Sequence, residues 1–329
     1  MKKHLIAAGV VAALAAPAMA QNVSVYGILD VNISSIDTDS STTATGGADT
    51  TVGRNSIATS RLGFRGTEDL GGGLKAEFQL EGAIANDEGG VGGTNATPFF
   101  NRESWLGLAG GFGALRVGLT DTTDQDNIDS KVSQGGNLGL LADNATKDQK
   151  NSIRYTTPTY AGFSAQLGYA NNSEASGVET TADKVTSIYL QYEQGALGVY
   201  AGQSSKKITN SYNQDATTVG VKYNFGPVAV GAAYQSTDNA AQADTNTGFN
   251  EFIISASMPL GNGLTLHGFY ETYEREGTGA EANNFDQLTV ALTKALSKRT
   301  SAYAAVQSVD YESTGRDKAG VILGVVHSF

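Results

Sequence analysis

Few residues in this chain have the types and spacing that enzyme chemistry requires. The sequence contains three histidines, His4, His267 and His327, and no cysteine. A Ser-His-Asp hydrolase places its nucleophile beside a histidine, and no G-x-S-x-G motif accompanies either of the two later histidines. The paired glycines are typical of turns rather than of a phosphate-binding loop. The sequence therefore predicts neither an enzyme nor a cofactor site.

Acidic residues concentrate between residues 121 and 150. Asp121, Asp124, Asp126 and Asp129 begin this stretch. Their order lacks the D-x-[DN]-x-[DN]-G pattern of an EF-hand calcium loop, and a chain without cysteine has no thiolate ligands. The sequence therefore predicts no dedicated metal site, and it leaves open a hypothesis in which loop carboxylates bind divalent cations.

Basic residues form a second charged set with a regular placement. On the predicted strands, each lies on the face opposite to the apolar side chains. The members are Arg61, Arg65, Lys75, Arg102, Arg116 and Arg154. In a membrane strand the apolar face contacts lipid, and a charge there would cost about 2–4 kcal/mol at mid-depth. We therefore expect all six side chains to face water on the other side.

The elements that carry these charges are short strands with a period of two. The clearest one alternates Leu74, Ala76, Phe78 and Leu80 with Lys75, Glu77, Gln79 and Glu81. The same alternation recurs at 55–66, 163–169, 218–225 and 287–293. A period of two indicates strands with one apolar face, but a soluble β-sandwich also has it.

Two further features separate a membrane barrel from a sandwich. Short connectors, such as 69–73, 110–113, 157–162, 194–196, 226–227 and 259–263, alternate with long polar ones at 35–53, 86–97, 171–183 and 236–247. Short turns at one rim and long loops at the other are typical of outer-membrane barrels. Aromatic residues near strand ends, including Tyr26, Tyr223 and Phe225, predict girdles at the two membrane interfaces.

The length of the chain sets the size of the barrel. The 329 residues accommodate about 16 strands of about 10 residues, with short turns and moderate outer loops. A barrel of this size encloses an aqueous channel, and it must close because lipid offers no partner for an open sheet edge. The predicted fold class is all-β, a transmembrane antiparallel β-barrel of about 16 strands.

The N-terminus predicts export. Lys2 and Lys3 precede an apolar run that ends in Ala18-Met19-Ala20, which is the pattern of a secretory signal peptide. We assign residues 1–20 to the signal peptide and residues 21–329 to one barrel domain. Removing the two lysines changes the formal charge from −11 to −13. That acidity argues against a nucleic-acid partner.

The residues also resemble a known family. The stretch Ser60–Glu81 (SRLGFRGTEDLGGGLKAEFQLE), residues 102–118 around Trp105-Leu-Gly-Leu, Asn151–Tyr155 (NSIRY) and the C-terminal VVHSF are similar to Gram-negative general porins of the β-proteobacterial type. The resemblance implies a homotrimer of 16-stranded barrels in the outer membrane, with a third outer loop that folds inward and constricts the pore. It also implies that Phe329 is recognised by the barrel-insertion machinery. Small residues at Ala58 and Ser60 on the predicted outer face are compatible with a trimer.

The resemblance gives the charged residues a role. The constriction loop corresponds to residues 121–150, so its aspartates would face the basic wall and set a transverse field at the narrowest point. Ions and small hydrophilic solutes would pass there, while apolar solutes would disturb ordered water. The alternative is that the arginines solvate the lumen or pair with Glu77, Glu81 and Glu103. The sign of ion selectivity stays open, because basic residues expected on the last strand are replaced by Val326 and Ser328.

Other functions and partners remain as alternatives. A substrate- or anion-selective channel would require a row of aromatics or a binding cluster along the lumen, whereas Tyr189, Tyr200, Tyr273 and Tyr303 are scattered over several strands. A surface-binding or adhesin barrel would use its outer loops. Outer-membrane lipid and lipopolysaccharide are the expected surroundings, and loop carboxylates bridging lipopolysaccharide are a further hypothesis.

Overall fold

A computed structural model of the chain describes residues 23–38, 49–91, 98–120, 124–139, 149–171, 184–208, 212–241, 248–276, 284–312 and 317–329. The predicted signal peptide, residues 1–20, lies outside the described residues. Among the described residues, no helix is long and apolar enough to cross a bilayer.

Strands make up almost all of the described chain. The first nine are β1 (Ser24–Thr38), β2 (Asp49–Arg54), β3 (Arg61–Gly71), β4 (Leu74–Ala85), β5 (Gly90–Val91), β6 (Glu103–Gly110), β7 (Gly113–Thr120), β8 (Gln149–Thr156) and β9 (Phe163–Asn171). The other nine are β10 (Lys184–Gln194), β11 (Leu197–Ile208), β12 (Tyr212–Asn224), β13 (Ala229–Ala241), β14 (Gly248–Gly261), β15 (Leu264–Arg275), β16 (Phe285–Ala295), β17 (Thr300–Tyr311) and β18 (Lys318–Ser328). Helix α1 (Asp124–Val132) and a 3-10 turn (Gly136–Gly139) lie between β7 and β8.

These strands form one closed antiparallel barrel. Each strand of the wall pairs with its neighbours in the chain, and β1 pairs with β18 from Ile28↔Ser328 to Thr38↔Lys318. Strands β2 and β3 both pair with β1 and so share one position in the wall. The two-residue β5 pairs only with the end of β4. The wall therefore has 16 positions, which confirms the predicted fold class.

Burial follows the predicted period of two. On β6 and β7, Leu106 and Val117 are 64% and 52% exposed, whereas Trp105, with the opposite orientation, is 6% exposed. Ile153 and Arg154 on β8 repeat the contrast, at 47% and 6%. Apolar side chains therefore cover the outside of the barrel, and the polar ones line the lumen, as expected for a barrel in lipid.

The strand predicted from residue 55 to 66 begins only at Arg61. The carboxylate of Asp30 accepts hydrogen bonds from the backbone N–H groups of Ile57 (2.6 Å) and Ala58 (2.9 Å), so these donors are withdrawn from the sheet. Asn55 has a positive φ of 66°. Ser60, predicted on the outer face, is fully buried and donates to the backbone carbonyl of Asp30. We refer to residues 55–60 as the β2–β3 break.

Candidate functional site

The segment between β7 and β8 folds into the barrel and packs against its inner wall. Helix α1 lies on β10 to β13, and its apolar residues Ile128 and Val132 are 0% and 1% exposed. They form a buried cluster with Tyr189, Tyr200, Ala233 and Ile253. The helix was not predicted, because its sequence DQDNIDSKV is mostly polar and has few apolar positions.

Two glycines give the helix room to approach the wall. A Cβ at Gly231 on β13 would lie 2.0 Å from the carbonyl oxygen of Val132, and one at Gly220 on β12 would lie 2.7 Å from Cγ2 of Ile128. Real Cβ atoms do not approach other atoms so closely. The hydroxyl of Ser255 on β14 donates to the same Val132 carbonyl. The inner wall is thus shaped to seat the helix.

After the helix, the segment continues around the wall. The carbonyl oxygen of Gln134 lies 2.6 Å from Nδ1 of His267 on β15. Leu138 is 5% exposed in a second cluster, which also contains Phe269, Ala291, Tyr303, Ala305 and Ile322 on β15 to β18. We call residues 124–139 the inner loop.

The far end of the inner loop is fastened to the β2–β3 break. The backbone N–H of Asn137 donates to the carbonyl of Ile57 (2.9 Å), and its side-chain amide donates to the carbonyl of Asn55 (3.0 Å). The break is in turn held by the buried Asp30, which also accepts a 2.5 Å hydrogen bond from the hydroxyl of Tyr303. One carboxylate therefore connects β1 and β17 to the β2–β3 break, which in turn holds the tip of the inner loop.

This path leaves one part of the inner wall uncovered by the described inner loop. Its contacts begin on β9, where Asn127 donates to Gln166 (3.3 Å), and pass successively to β18 and the β2–β3 break. The side chains of β3, β4, β6, β7 and β8 lie on the other side of the lumen. This stretch carries the predicted arginines, and we call Arg61, Arg102, Arg116 and Arg154 the arginine wall.

Glu81 on β4 connects two members of the arginine wall. Its Oε1 accepts a 2.7 Å hydrogen bond from Nε of Arg102, and its Oε2 lies 3.9 Å from Nε of Arg61. The hydroxyl of Tyr26 donates to the same Oε2 at 2.7 Å. Both arginine side chains remain partly exposed, at 27% for Arg61 and 23% for Arg102. Their charge is therefore partly compensated, and they still contact the lumen.

Arg116 and Arg154 are Cα partners on β7 and β8. The guanidinium carbon of Arg116 lies 4.2 Å from the ring centroid of Trp105, a cation–π contact that attracts the cation without neutralising it. Arg154 is 6% exposed. Two like charges side by side on one face raise the local positive potential.

The other two predicted basic residues lie nearer the rim with short turns. Arg65 contacts the ring of Tyr26 at 4.8 Å and lies within 3.4 Å of the Ser24 hydroxyl. Lys75 is exposed one residue after the start of β4, and it is the Cα partner of Asp69. The structure thus places both away from the four residues of the arginine wall.

The predicted acidic loop residues are only partly described. Asp121 lies outside the described residues, as do the side chains of Asp124 and Asp126. Asp129 on α1 is 4% exposed. The same helix also carries a basic residue that forms an ion pair: Nζ of Lys131 lies 3.2 Å from Oε1 of Glu193 on β10.

Several functional contacts were not predicted from the sequence. Glu193 also accepts a 2.8 Å hydrogen bond from Tyr200 and lies 3.5 Å from Lys222 Nζ, so it fastens α1 to the wall. Tyr26, predicted in an interfacial girdle, instead faces the lumen and Glu81. Its position next to Val25, which is 56% exposed, was the available indication of this inward orientation. Among the described residues, no group of three or more His, Cys, Asp or Glu could hold a metal ion.

An ion pair joins β2 to the turn after β4. Arg54 on β2 donates a hydrogen bond to the carboxylate of Asp87. Desolvation acts to raise the pKa of Asp87, but the hydrogen bonds from Arg54 and the backbone outweigh it, and the pKa lies below its ordinary value. The Asp87 carboxylate thus stays charged and compensates Arg54.

Comparisons with known proteins agree with this geometry. A family model described as Gram-negative porin matches residues 7–314. Outer membrane porin protein 32 of Delftia acidovorans is 32% identical over 347 residues, covering 100% of this chain and 96% of that protein.

Solved structures of other outer-membrane proteins have the same barrel fold. The anion-selective porin from Comamonas acidovorans has a TM-score of 0.77 at 27% identity, covering 94% of this chain and 100% of that one. A trimer form of OmpT from Vibrio cholerae shares the fold, with a TM-score of 0.70 at 17% identity and coverage of 94% and 100%. The chain belongs to the Gram-negative porin family and is an outer-membrane channel for passive diffusion of small hydrophilic solutes, not an enzyme.

Proposed function

We propose that the gap between the arginine wall and the inner loop is the throat of the channel, and that its charge favours small anions. The proposal is based on the uneven distribution of charge on β3 to β8. Four arginines face this part of the lumen together with the carboxylates of Glu77, Glu81 and Glu103, which leaves an excess of positive charge on the wall.

Local charge matters more here than the charge of the whole chain. The sequence has a formal charge of −11, but salt screens exposed charges over about 8 Å at physiological ionic strength. Carboxylates on the outer rim therefore have little influence on an ion at the throat. The relative from Comamonas acidovorans is described as anion-selective, which supports the same sign for this chain.

The test is the reversal potential of purified protein in a planar bilayer under a potassium chloride gradient. We expect ohmic channels whose reversal potential is displaced from zero toward the equilibrium potential of chloride. A reversal potential displaced toward the equilibrium potential of potassium would contradict the anion preference while leaving the channel itself established. No conductance from a correctly folded barrel would contradict the throat as well.

We further propose that the barrel works as a homotrimer and that Phe329 is recognised by the barrel-insertion machinery. A trimer form of the related fold from Vibrio cholerae supports the first part, and the terminal aromatic, paired with Gly27, supports the second. Chemical crosslinking in outer-membrane vesicles tests the trimer. Bands at three times the monomer mass are expected. A monomer band alone, without crosslinked species, would contradict the proposal.

A further inference from the structure

Four aromatic side chains lie side by side near the rim with long loops. Phe249 is the second residue of β14, Tyr273 is near the end of β15, Phe285 begins β16 and Tyr311 ends β17. The ring centroids of successive neighbours are 5.1, 5.2 and 5.6 Å apart. We call these four residues the aromatic row.

The aromatic row faces the lumen. On β15, Tyr273 has the orientation of Phe269 and Glu271, which are 2% and 6% exposed, whereas Tyr270 on the other face is 39% exposed. Tyr273 is the Cα partner of Phe285, and Phe285 is the partner of Tyr311. Cross-strand partners lie on the same face of a sheet, so the four rings share the inner surface.

Tyr273, Phe285 and Tyr311 are half-buried and Phe249 is 9% exposed, and the stacking of the rings directs their edges toward the lumen. The planes of Tyr273 and Phe285 are 11° apart, and those of Phe249 and Tyr273 are 29° apart. Strand side chains stand roughly perpendicular to the sheet, so rings stacked between neighbouring strands point their edges inward. An aromatic edge carries partial positive charge, and tyrosine adds a hydroxyl donor at its tip.

Each end of the aromatic row has a cation. Lys318 Nζ on β18 lies 5.7 Å from the ring centroid of Tyr311, and Arg275 is the Cα partner of Phe249. The carboxylates on the same inner surface, Glu251 and Glu271, are 1% and 6% exposed and are thus withdrawn from the lumen. Two further carboxylates lie beside the row and accept hydrogen bonds: Asp317 from the backbone N–H of Tyr311 (2.8 Å) and the exposed Glu312 from the side chain of Asn284 (3.0 Å). The strip therefore combines aromatic rings with a cation at each end, although a diffusion pore needs only a polar lining.

We propose that the aromatic row is a low-affinity binding track for organic anions with a flat apolar body, with aromatic carboxylates as the representative class. The ring of the solute contacts the ring edges in a T-shaped arrangement, and its carboxylate lies toward Lys318 or Arg275. The proposal rests on the diffusion channel above and adds a preference among its anionic solutes.

The test compares benzoate with acetate, which carries the same charge without the ring. Single-channel chloride current is recorded with either anion added on the side of the long loops. For the unmodified protein, benzoate is expected to reduce or interrupt the current at concentrations where acetate has no effect. The double variant Tyr273→Leu/Phe285→Leu should weaken the effect of benzoate by at least about threefold.

Tyr270→Leu is the matched control, because this tyrosine lies on the lipid-facing side of the same strand. It should keep the benzoate effect of the unmodified protein. If the double variant does not fold, Lys318→Gln provides a second test, with a weaker benzoate effect expected. Equal effects of benzoate and acetate, or an unchanged benzoate effect in a folded double or Lys318→Gln variant, would overturn the binding track. A chloride current without added anion establishes the channel independently.

Discussion

The carboxylate of Glu81 has three partners on the inner wall. It accepts hydrogen bonds from Arg102 and Tyr26, both at 2.7 Å, and lies 3.9 Å from Arg61. A single negative charge is therefore shared between two arginines, and neither guanidinium is fully compensated. Glu81 sets how much of the charge of the arginine wall acts on an ion in the lumen.

Replacing this carboxylate should strengthen the preference for anions. In Glu81→Gln, Arg61 and Arg102 keep their charge and lose their counter-ion. One charge near 6 Å in water changes the permeability of each ion by about threefold in opposite directions, so the anion-to-cation permeability ratio is expected to rise by up to about tenfold. The reversal potential in a salt gradient measures the change. Glu68→Gln, near the turn after β3, is the control. A ratio that stays constant or falls in Glu81→Gln would contradict this role.

Neutralising the pair on β7 and β8 should have the opposite effect. Arg116→Gln/Arg154→Gln removes two positive charges that lie next to each other. The permeability ratio is expected to fall by up to about a hundredfold at low salt and by less as salt screens the site. Arg299→Gln, in the turn between β16 and β17, should leave the ratio unchanged. If the two variants shift the reversal potential equally, the arginine wall does not govern selectivity.

At this scale the sequence predicts which faces the charges occupy but not whom they contact. Strand alternation is sufficient to orient Arg116 and Arg154, because the membrane makes the wrong orientation costly. It does not reveal that Trp105 lies under Arg116 or that Asp30 binds Tyr303, since these partners are 11 and 273 residues away in sequence. Such contacts depend on barrel register.

The position of the inner loop depends on empty space along β12 and β13. Gly220 and Gly231 lack the side chains that would collide with Ile128 and Val132. The apolar side chains of α1 can therefore reach the wall, and the helix remains away from the arginine wall.

Gly231→Leu should displace α1 toward the lumen. A side chain at this position must occupy the space of the Val132 backbone, and overpacking of this kind costs about 1–3 kcal/mol. The expected result is a lower and noisier single-channel conductance in a barrel that still folds. Gly268→Leu on β15, where a Cβ would meet nothing within 4 Å, is the control. Identical conductance in both variants would argue against the packing of the helix.

Asp30→Asn should loosen the other end of the inner loop. The carboxylate accepts hydrogen bonds from Ile57, Ala58 and Tyr303, and an amide replaces one acceptor oxygen with donors. The β2–β3 break then holds Asn137 less firmly, and we expect more frequent conductance fluctuations. Asp37→Asn, an exposed position on the same strand, should show none. Channels without added fluctuations from a folded Asp30→Asn protein would contradict this role of Asp30.

The elements differ in how well the sequence predicts them. Strands with an uninterrupted period of two are predicted best: β4 begins at the predicted Leu74 and extends four residues beyond the predicted Glu81, to Ala85. The β2–β3 break was predicted as part of a strand, because the side chain that interrupts it, Asp30, belongs to another strand. Helix α1 was missed because its stability comes from packing against β10 to β13, and its own periodicity is weak.

The whole barrel is closed at its two ends by main-chain pairing. Gly27 and Phe329 exchange backbone hydrogen bonds of 3.0 and 3.2 Å, and a Cβ at Gly27 would lie 2.4 Å from the ring of Phe329. The terminal residue thus completes the wall between β1 and β18. Among the described strands of the wall, each has a partner on both sides, which is the condition that any membrane β-structure must meet.

Because the sequence contains no cysteine, a single introduced thiol can report directly on the charge of the throat. Single substitutions Arg116→Cys and Val117→Cys place a thiol at neighbouring positions of β7, the first in the throat and the second on the lipid side, where Val117 is 52% exposed. During single-channel recording, a negatively charged, membrane-impermeant thiosulfonate reagent is added, followed by its positively charged analogue on fresh protein.

Arg116→Cys should respond to both reagents. The negative adduct should shift the reversal potential toward cations, and the positive adduct should restore the preference for anions, while Val117→Cys responds to neither. Equal responses at both positions would contradict a water-filled throat lined by the arginine wall. An Arg116→Cys channel that conducts but responds to neither reagent would contradict it as well.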